Sequence, residues 1–292
     1  MTALAPSPAI AAARLFRRGL LVALAAAAVS GFTFLEAAFA PKADLWPRWQ
    51  AHDPASRATI DHRPWQRFLD AYLRPGADGV TRLAYGRVTD ADKQALHAYL
   101  DRLRTAPVLS LSRAEQRAYW INLYNALTVR VVLDHYPVAS IQDIDISPGP
   151  FSSGPWDRKL LDVDGEPVSL NDIEHRILRP IWKDARIHYA VNCASIGCPN
   201  VQPAAFTAAN GETLLDDAAR AYVNHPRGAR VEDGRLVASK IYAWFSEDFG
   251  GDEAGVIRHL RRYAAPPLDG ALRGIDSVAA YEYDWRLNDG GS

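Results

Sequence analysis

Only two cysteines, Cys193 and Cys198, and one methionine occur among the 292 residues. A disulfide framework is therefore excluded, although one bridge is not. The chain lacks a Walker-type phosphate loop, a glycine-rich dinucleotide turn after a strand, and any internal repeat of solenoid length. No cofactor is expected. Charge of one sign is also missing: 33 basic and 34 acidic residues leave a formal net charge of -1. That balance gives no electrostatic footprint for nucleic acid, and no nucleic-acid partner is expected.

What is present suits a globular chain with a real core, since 48% of residues are hydrophobic and 23% charged. Eight Trp and twelve Tyr point to ring-rich packing or to a groove lined with rings. At the amino terminus, Arg14, Arg17 and Arg18 precede the apolar run Gly19–Val29, and Ala38-Phe39-Ala40 reads as a small-x-small cleavage site. Residues 1–40 are thus expected to be a signal peptide. Pro41 is awkward for the peptidase, so Ser30 is a second candidate cut. The apolar stretch before Glu36 is short against the ~20 residues of a spanning helix, so membrane contact is expected only through an uncleaved signal segment. A periplasmic or secreted location follows. Removing residues 1–40 leaves 30 basic and 33 acidic residues.

Along the chain, residues 41–88 form a lead-in with a helix near Trp65–Tyr72 and a weak strand at Thr81–Tyr85. Thr89 opens a helix through Leu103. Ser112-Arg-Ala-Glu115 is a capping box for a helix reaching about Tyr136. That helix is hydrophobic nearly all round, which predicts a central place. Asn122 and Asn125 share one of its faces. They either clamp neighbouring loop backbone, orient a catalytic side chain, or bind substrate. Residues 158–170 read as a hairpin over Asp164-Gly165. A helix capped by Ser169 or Asn171 follows and is expected to stop at Pro180. The first half of His188–Pro199 reads as a buried strand, and its second half as a small-residue turn. Helices are expected at Thr213–Val223 and Glu253–Tyr263, a hairpin at Val231–Ile241, and a strand at Tyr281–Trp285 near the end. No long linker divides the chain. The expected class is α+β, with a helical amino-terminal part packed on a mostly antiparallel sheet. The domain proper would span residues 89–265, with residues 266–292 as a tail packed on it.

The chemistry concentrates at the cysteines. A reactive thiolate needs a basic neighbour and some exposure. On an extended strand, His188 and Cys193 lie on opposite faces and more than ~15 Å apart, so His188 reads as a hydrogen-bonded histidine away from the sulfur. His175, on a separate short helix, is the better base. Glu174 is adjacent to it, but neighbouring helical side chains point about 100° apart. Asn122, Asn125 and Asp248 are alternative third members. A Cys193–Cys198 bridge, permitted in an exported chain, competes with the free nucleophile. The C-x-x-C spacing of zinc ribbons and of thioredoxin-type pairs is absent, so neither a metal site nor such a redox pair is expected.

Four ordered motifs carry a resemblance: Tyr119–Leu127 (YWINLYNAL), Ser169–Arg179 (SLNDIEHRILR), Arg186–Pro199 (RIHYAVNCASIGCP) and Ser239–Phe249 (SKIYAWFSEDF). Together they resemble the domain of unknown function 547 (DUF547) family over roughly residues 90 to 265. The resemblance implies a papain-like cysteine peptidase with Cys193 as nucleophile, His175 as base and Glu174 as third member. Its substrate would be a peptide or another amide or ester. The oxyanion would rest on backbone N–H groups of the Ala194–Gly197 turn. The alternative expectation is a non-catalytic periplasmic binding or scaffold domain with a structural Cys193–Cys198 bridge.

Overall fold

The computed structural model describes residues 40–149 and 154–291. The expected signal segment, Ala40 apart, lies outside the described residues. The long helix Arg113–His135 is the axis on which the other elements are placed. Its side chains are buried on every side from Ala118 to Val129, as an all-round apolar sequence requires. Ser112 Oγ accepts the Glu115 N–H at 3.3 Å. The Glu115 carboxylate does not return to the cap and instead accepts the Ile60 N–H at 2.7 Å. Half of the capping box therefore staples the lead-in to the helix. Trp49 reinforces the same seam, edge-on to Trp120 at 4.9 Å.

In chain order, α1 (Arg63–Tyr72) leads into the antiparallel pair β1 (Leu73–Pro75) and β2 (Thr81–Leu83). Next come α2 (Asp90–Arg104), capped by Thr89, and the long helix, α3. A second antiparallel pair joins β3 (Leu161–Val163) to β4 (Glu166–Val168). A π-helical segment, Asp172–Leu178, runs into α4 (Arg179–Trp182), and α5 (Ile187–Ala190) and α6 (Gly211–Val223) follow. The third sheet contains β5 (Ala229–Glu232), β6 (Arg235–Ser239) and β7 (Val278–Glu282), with β5–β6 antiparallel and β6–β7 parallel. Between β6 and β7 lie α7 (Lys240–Trp244), α8 (Glu253–Tyr263) and α9 (Leu268–Ala271). One apolar core surrounds α3, and a second fills the space between α6, α8 and the third sheet. The class is α+β. Among the described residues, no helix is long and apolar enough to cross a membrane.

Three local expectations need correction. The buried strand expected after His188 is a helical turn, α5. Asp184 starts it, because its carboxylate accepts the Arg186 N–H at 2.9 Å and its carbonyl accepts the Ile187 N–H at 3.0 Å. All four α5 residues are buried, so no face alternates.

Pro180 does not stop its helix, which continues to Trp182. Proline lacks an N–H, and the wide π turn absorbs that gap: the Arg179 N–H reaches back to the Glu174 carbonyl. The His175 carbonyl instead accepts the Asp44 N–H at 2.9 Å, and the Arg176 carbonyl accepts the Trp46 N–H at 2.9 Å. A helix irregularity thus becomes the docking edge for the lead-in.

Finally, the last strand ends at Glu282, and residues 284–288 cross the cysteine loop. Gly197 N–H donates to Asp284 O and Ile196 N–H to Arg286 O, both at 2.8 Å, and Asn288 N–H donates to Ala194 O at 2.9 Å. A Cβ at Gly197 would meet the Asp284 nitrogen at 2.8 Å, so only glycine allows this approach.

Asn122 and Asn125 are 0% and 4% exposed. Asn122 binds the Phe206 carbonyl at 2.8 Å and its N–H at 3.0 Å. Asn125 likewise takes the Ala190 carbonyl at 2.9 Å and the Asn192 N–H at 2.8 Å. Both are backbone clamps, with no surface left for the substrate-binding role considered for them. Asn125→Ala strands a buried carbonyl and a buried N–H, so urea denaturation is expected to register a loss of roughly 2–4 kcal/mol. An unchanged midpoint would contradict the clamp.

Candidate functional site

The π-helical segment presents Glu174 and His175, α5 presents His188, and the 3-10 turn Ser246–Phe249 after α7 presents Asp248. These side chains gather around His188, which is 3% exposed. Its Nδ1 lies 3.2 Å from Glu174 Oε1, and its Nε2 lies 2.6 Å from Asp248 Oδ2. Carboxylates only accept, so both ring nitrogens donate and the ring is an imidazolium. Burial pulls the His188 pKa down, but its bonds to Asp248 and Glu174 outweigh that and hold it above the usual value. Arg179 Nε donates to the same Asp248 oxygen at 2.6 Å. Two cations thus balance two carboxylates in a quartet buried except at Asp248, the condition under which such burial is tolerated.

His175 sits beside this quartet in a different state. Arg179 Nη1 donates to its Nδ1 at 2.9 Å, and a guanidinium cannot accept, so that nitrogen is unprotonated. Burial dominates here and lowers the His175 pKa to about 4. Its Nε2 is 3.9 Å from Glu174 Oε2, too far for a hydrogen bond. Glu174 is therefore the partner of His188 rather than of its sequence neighbour. Burial pushes the Glu174 carboxyl up, but His175, His188 and Arg179 override it and leave it at about 2. Asp248 likewise falls to about 2, with His188 and Arg179 outweighing its burial. Phe245 covers the quartet, stacked on His188 at 4.5 Å with the Arg179 guanidinium 4.7 Å over its ring.

The cysteines form a separate arrangement. Cys193 and Cys198 are joined in a disulfide. Cys193 is half-buried, and Cys198 is 4% exposed. The Cys193 N–H points at Cys198 Sγ at 2.9 Å. Cys193 Sγ contacts Tyr283 Oη at 3.0 Å and Ser195 Oγ at 3.3 Å. Burial pushes the Tyr283 phenol far up, so it stays a neutral hydroxyl. Its ring is flanked by Trp244 at 4.9 Å and Trp285 at 4.7 Å.

The structure therefore brings together Glu174, His175 and His188 but joins neither imidazole to a sulfur by a hydrogen bond. Three of the backbone donors proposed for an oxyanion, those of Ala194, Ile196 and Gly197, are also engaged. Ala194 N–H bonds Asn192 Oδ1 at 2.7 Å, while those of Ile196 and Gly197 bond the tail. Asp248, a candidate third member, proves to be a partner of His188 and Arg179. Tyr283 was missed as a neighbour of the sulfur. Alternation along Tyr281-Glu-Tyr-Asp-Trp285, which puts residues 281, 283 and 285 on one face, was the available signal. Among the described residues, no group of three or more His, Cys, Asp or Glu side chains could hold a metal ion.

Asp248, with its side chain 22% exposed, faces a cleft of about 450 Å³ bounded by Trp182, Lys183, Arg186, His259, Arg262 and Tyr263. Burial lowers the His259 pKa to about 4, and that of His62, at the start of α1, to about 4 as well. These histidines and His175 stay neutral when folded but take up protons below about 6.5 when unfolded. Their stabilisation is present above that pH and is lost as pH falls towards 4. The raised His188 works oppositely, stabilising below about 6.5 and fading as pH rises through its folded value. Urea denaturation is therefore expected to show greatest stability at about pH 7, where the proton kept by folded His188 matches those bound by the four unfolded histidines. Around pH 5, unfolding should take up two to three protons, a slope of ~3–4 kcal/mol per pH unit. A flat profile from pH 6.5 to 4.5 would contradict the burial of neutral rings.

No curated protein matches the chain. No solved structure matches it either. The matched family segment is narrower than the four motifs suggested, and it leaves Ser239–Phe249, and so Asp248, outside. It contains α3, the β3–β4 hairpin, the π-helical segment, the cysteine loop and α6. Residues 108–223 match the family described as protein of unknown function, DUF547, and this segment of the chain is a DUF547 region.

Proposed function

We propose that the chain is an exported, non-catalytic binding domain in which the Cys193–Cys198 bridge is structural. The observation that carries this reading is the bridge itself, which occupies Cys193, the nucleophile expected of a thiol hydrolase. The commitment of both candidate imidazoles, His188 to carboxylates and His175 to Arg179, supports it. A thiol hydrolase built on Cys193, His175 and Glu174 needs an ionised sulfur with an imidazole at hand, and the geometry favours neither. Export agrees with the charged and apolar leader at residues 1–40, since such bridges persist in oxidising compartments.

The cleft at Asp248 is the binding place. Lys183 and Arg262 on its rim are exposed and form no ion pair among the described residues. Asp248 Oδ2 takes both inward hydrogen bonds, leaving Oδ1 for a ligand. The suited ligand is a small polar molecule with an anionic group for the rim cations and a donor for Asp248.

Intact mass of the unreduced protein, followed by iodoacetamide treatment of the folded chain at neutral pH, tests the reading. The expected result is a mass lighter by one hydrogen per cysteine and no alkylation. A heavier, reduced mass with rapid alkylation confined to Cys193 would return the chain to the thiol hydrolases.

A further inference from the structure

The two sulfurs of the bridge are not equivalent, and the difference lies in exposure and in hydrogen bonding. Cys193 is half-buried at the surface of the loop, whereas Cys198 is 4% exposed beneath it. The Cys193 N–H points at Cys198 Sγ from 2.9 Å. That donor is worth little to a neutral disulfide sulfur but considerably more to a thiolate, because charge-assisted bonds are roughly twice as strong as neutral ones. The Tyr283 hydroxyl stands 3.0 Å from Cys193 Sγ, held in its neutral form and steadied by Ser195 Oγ at 2.8 Å. Cys193 is thus the more exposed of the two residues, and Cys198 carries the donor that favours its leaving.

We infer that the bridge is a thiol–disulfide exchange site for a low-molecular-weight thiol, with Cys193 as the sulfur attacked and Cys198 as the leaving sulfur. This rests on the oxidised bridge of the proposed function and goes beyond a structural role for it. In the first step, the incoming thiolate forms a bond to Cys193 Sγ. The Cys193–Cys198 bond breaks, and its electron pair leaves on Cys198 Sγ, beneath the Cys193 N–H. A second thiolate then attacks the small-molecule sulfur of the mixed disulfide. Cys193 leaves as a thiolate facing the Tyr283 hydroxyl. Two small thiols are oxidised to their disulfide, and the protein bridge takes up two electrons and, at neutral pH, protons from water. Exchange rates depend on access to the attacked sulfur and on the ease with which the other leaves, and here both select the same direction.

The experiment treats the oxidised full-length chain with reduced glutathione, quenches with acid, and maps adducts by peptide mass spectrometry. The expected adduct is on Cys193, with Cys198 free. In the single variants given oxidised glutathione, Cys198→Ser should accumulate the Cys193 adduct, while Cys193→Ser should react more slowly by about tenfold. Adducts on Cys198, equal labelling of the two sulfurs, or a bridge that resists glutathione in the folded protein would overturn the inference. The wild-type map makes this test independent of whether either variant folds. A reduced chain in the starting mass spectrum would instead overturn the structural-bridge reading, so the two failures are distinguishable.

Discussion

A single buried imidazolium, His188 between Glu174 and Asp248, fixes the relation of three remote segments. Glu174 comes from the π-helical segment, His188 from α5 and Asp248 from the turn after α7. None would hold a charge at that depth alone, because an isolated buried ion costs several kcal/mol. With Arg179 completing the balance, each charge is the condition for burying the others. The elements that carry them must then stay in register. The Phe245 ring, stacked on His188, shields that face of the imidazolium from water, while Asp248 keeps its outer edge on the cleft.

That constraint also decides the chemistry available to the cysteine loop. An imidazole shared between two carboxylates has no acceptor nitrogen for a thiol, and His175 directs its one free acceptor to Arg179. The loop is stabilised by other means: its bridge, the Asn192 side chain and the tail that crosses it at Ala194, Ile196 and Gly197. Two neighbouring structures have separate tasks. One holds charge, and the other holds a reducible bond.

Much of the frame was legible in the sequence. Thr89 and Ser112 announced their helices because a cap is a local signal, and the all-round apolar run from Tyr119 announced a central one. The Asn122 and Asn125 clamps were foreseeable as one of three roles, since a buried amide must find partners. What could not be read was decided by tertiary contact. Pro180 looks like a stop until the π turn reassigns the His175 carbonyl to Asp44. The segment after His188 looks like a strand until Asp184 caps it into a turn. The pairing of Glu174 with His188, rather than with adjacent His175, depends on α5 arriving from outside the helix, and no spacing encodes that. The matched DUF547 segment includes both histidines and both cysteines but stops before Asp248.

The protonation state of His188 tests this account at its root. Nitrogen-15 NMR of the folded protein, labelled at histidine, reads both ring nitrogens directly. The account predicts that at neutral pH His188 carries a proton on each nitrogen, while His175 has a bare Nδ1. A neutral His188 that titrates freely near 6.5 would contradict it, because the ring would then be available to a thiol and the three segments would lack their common charge.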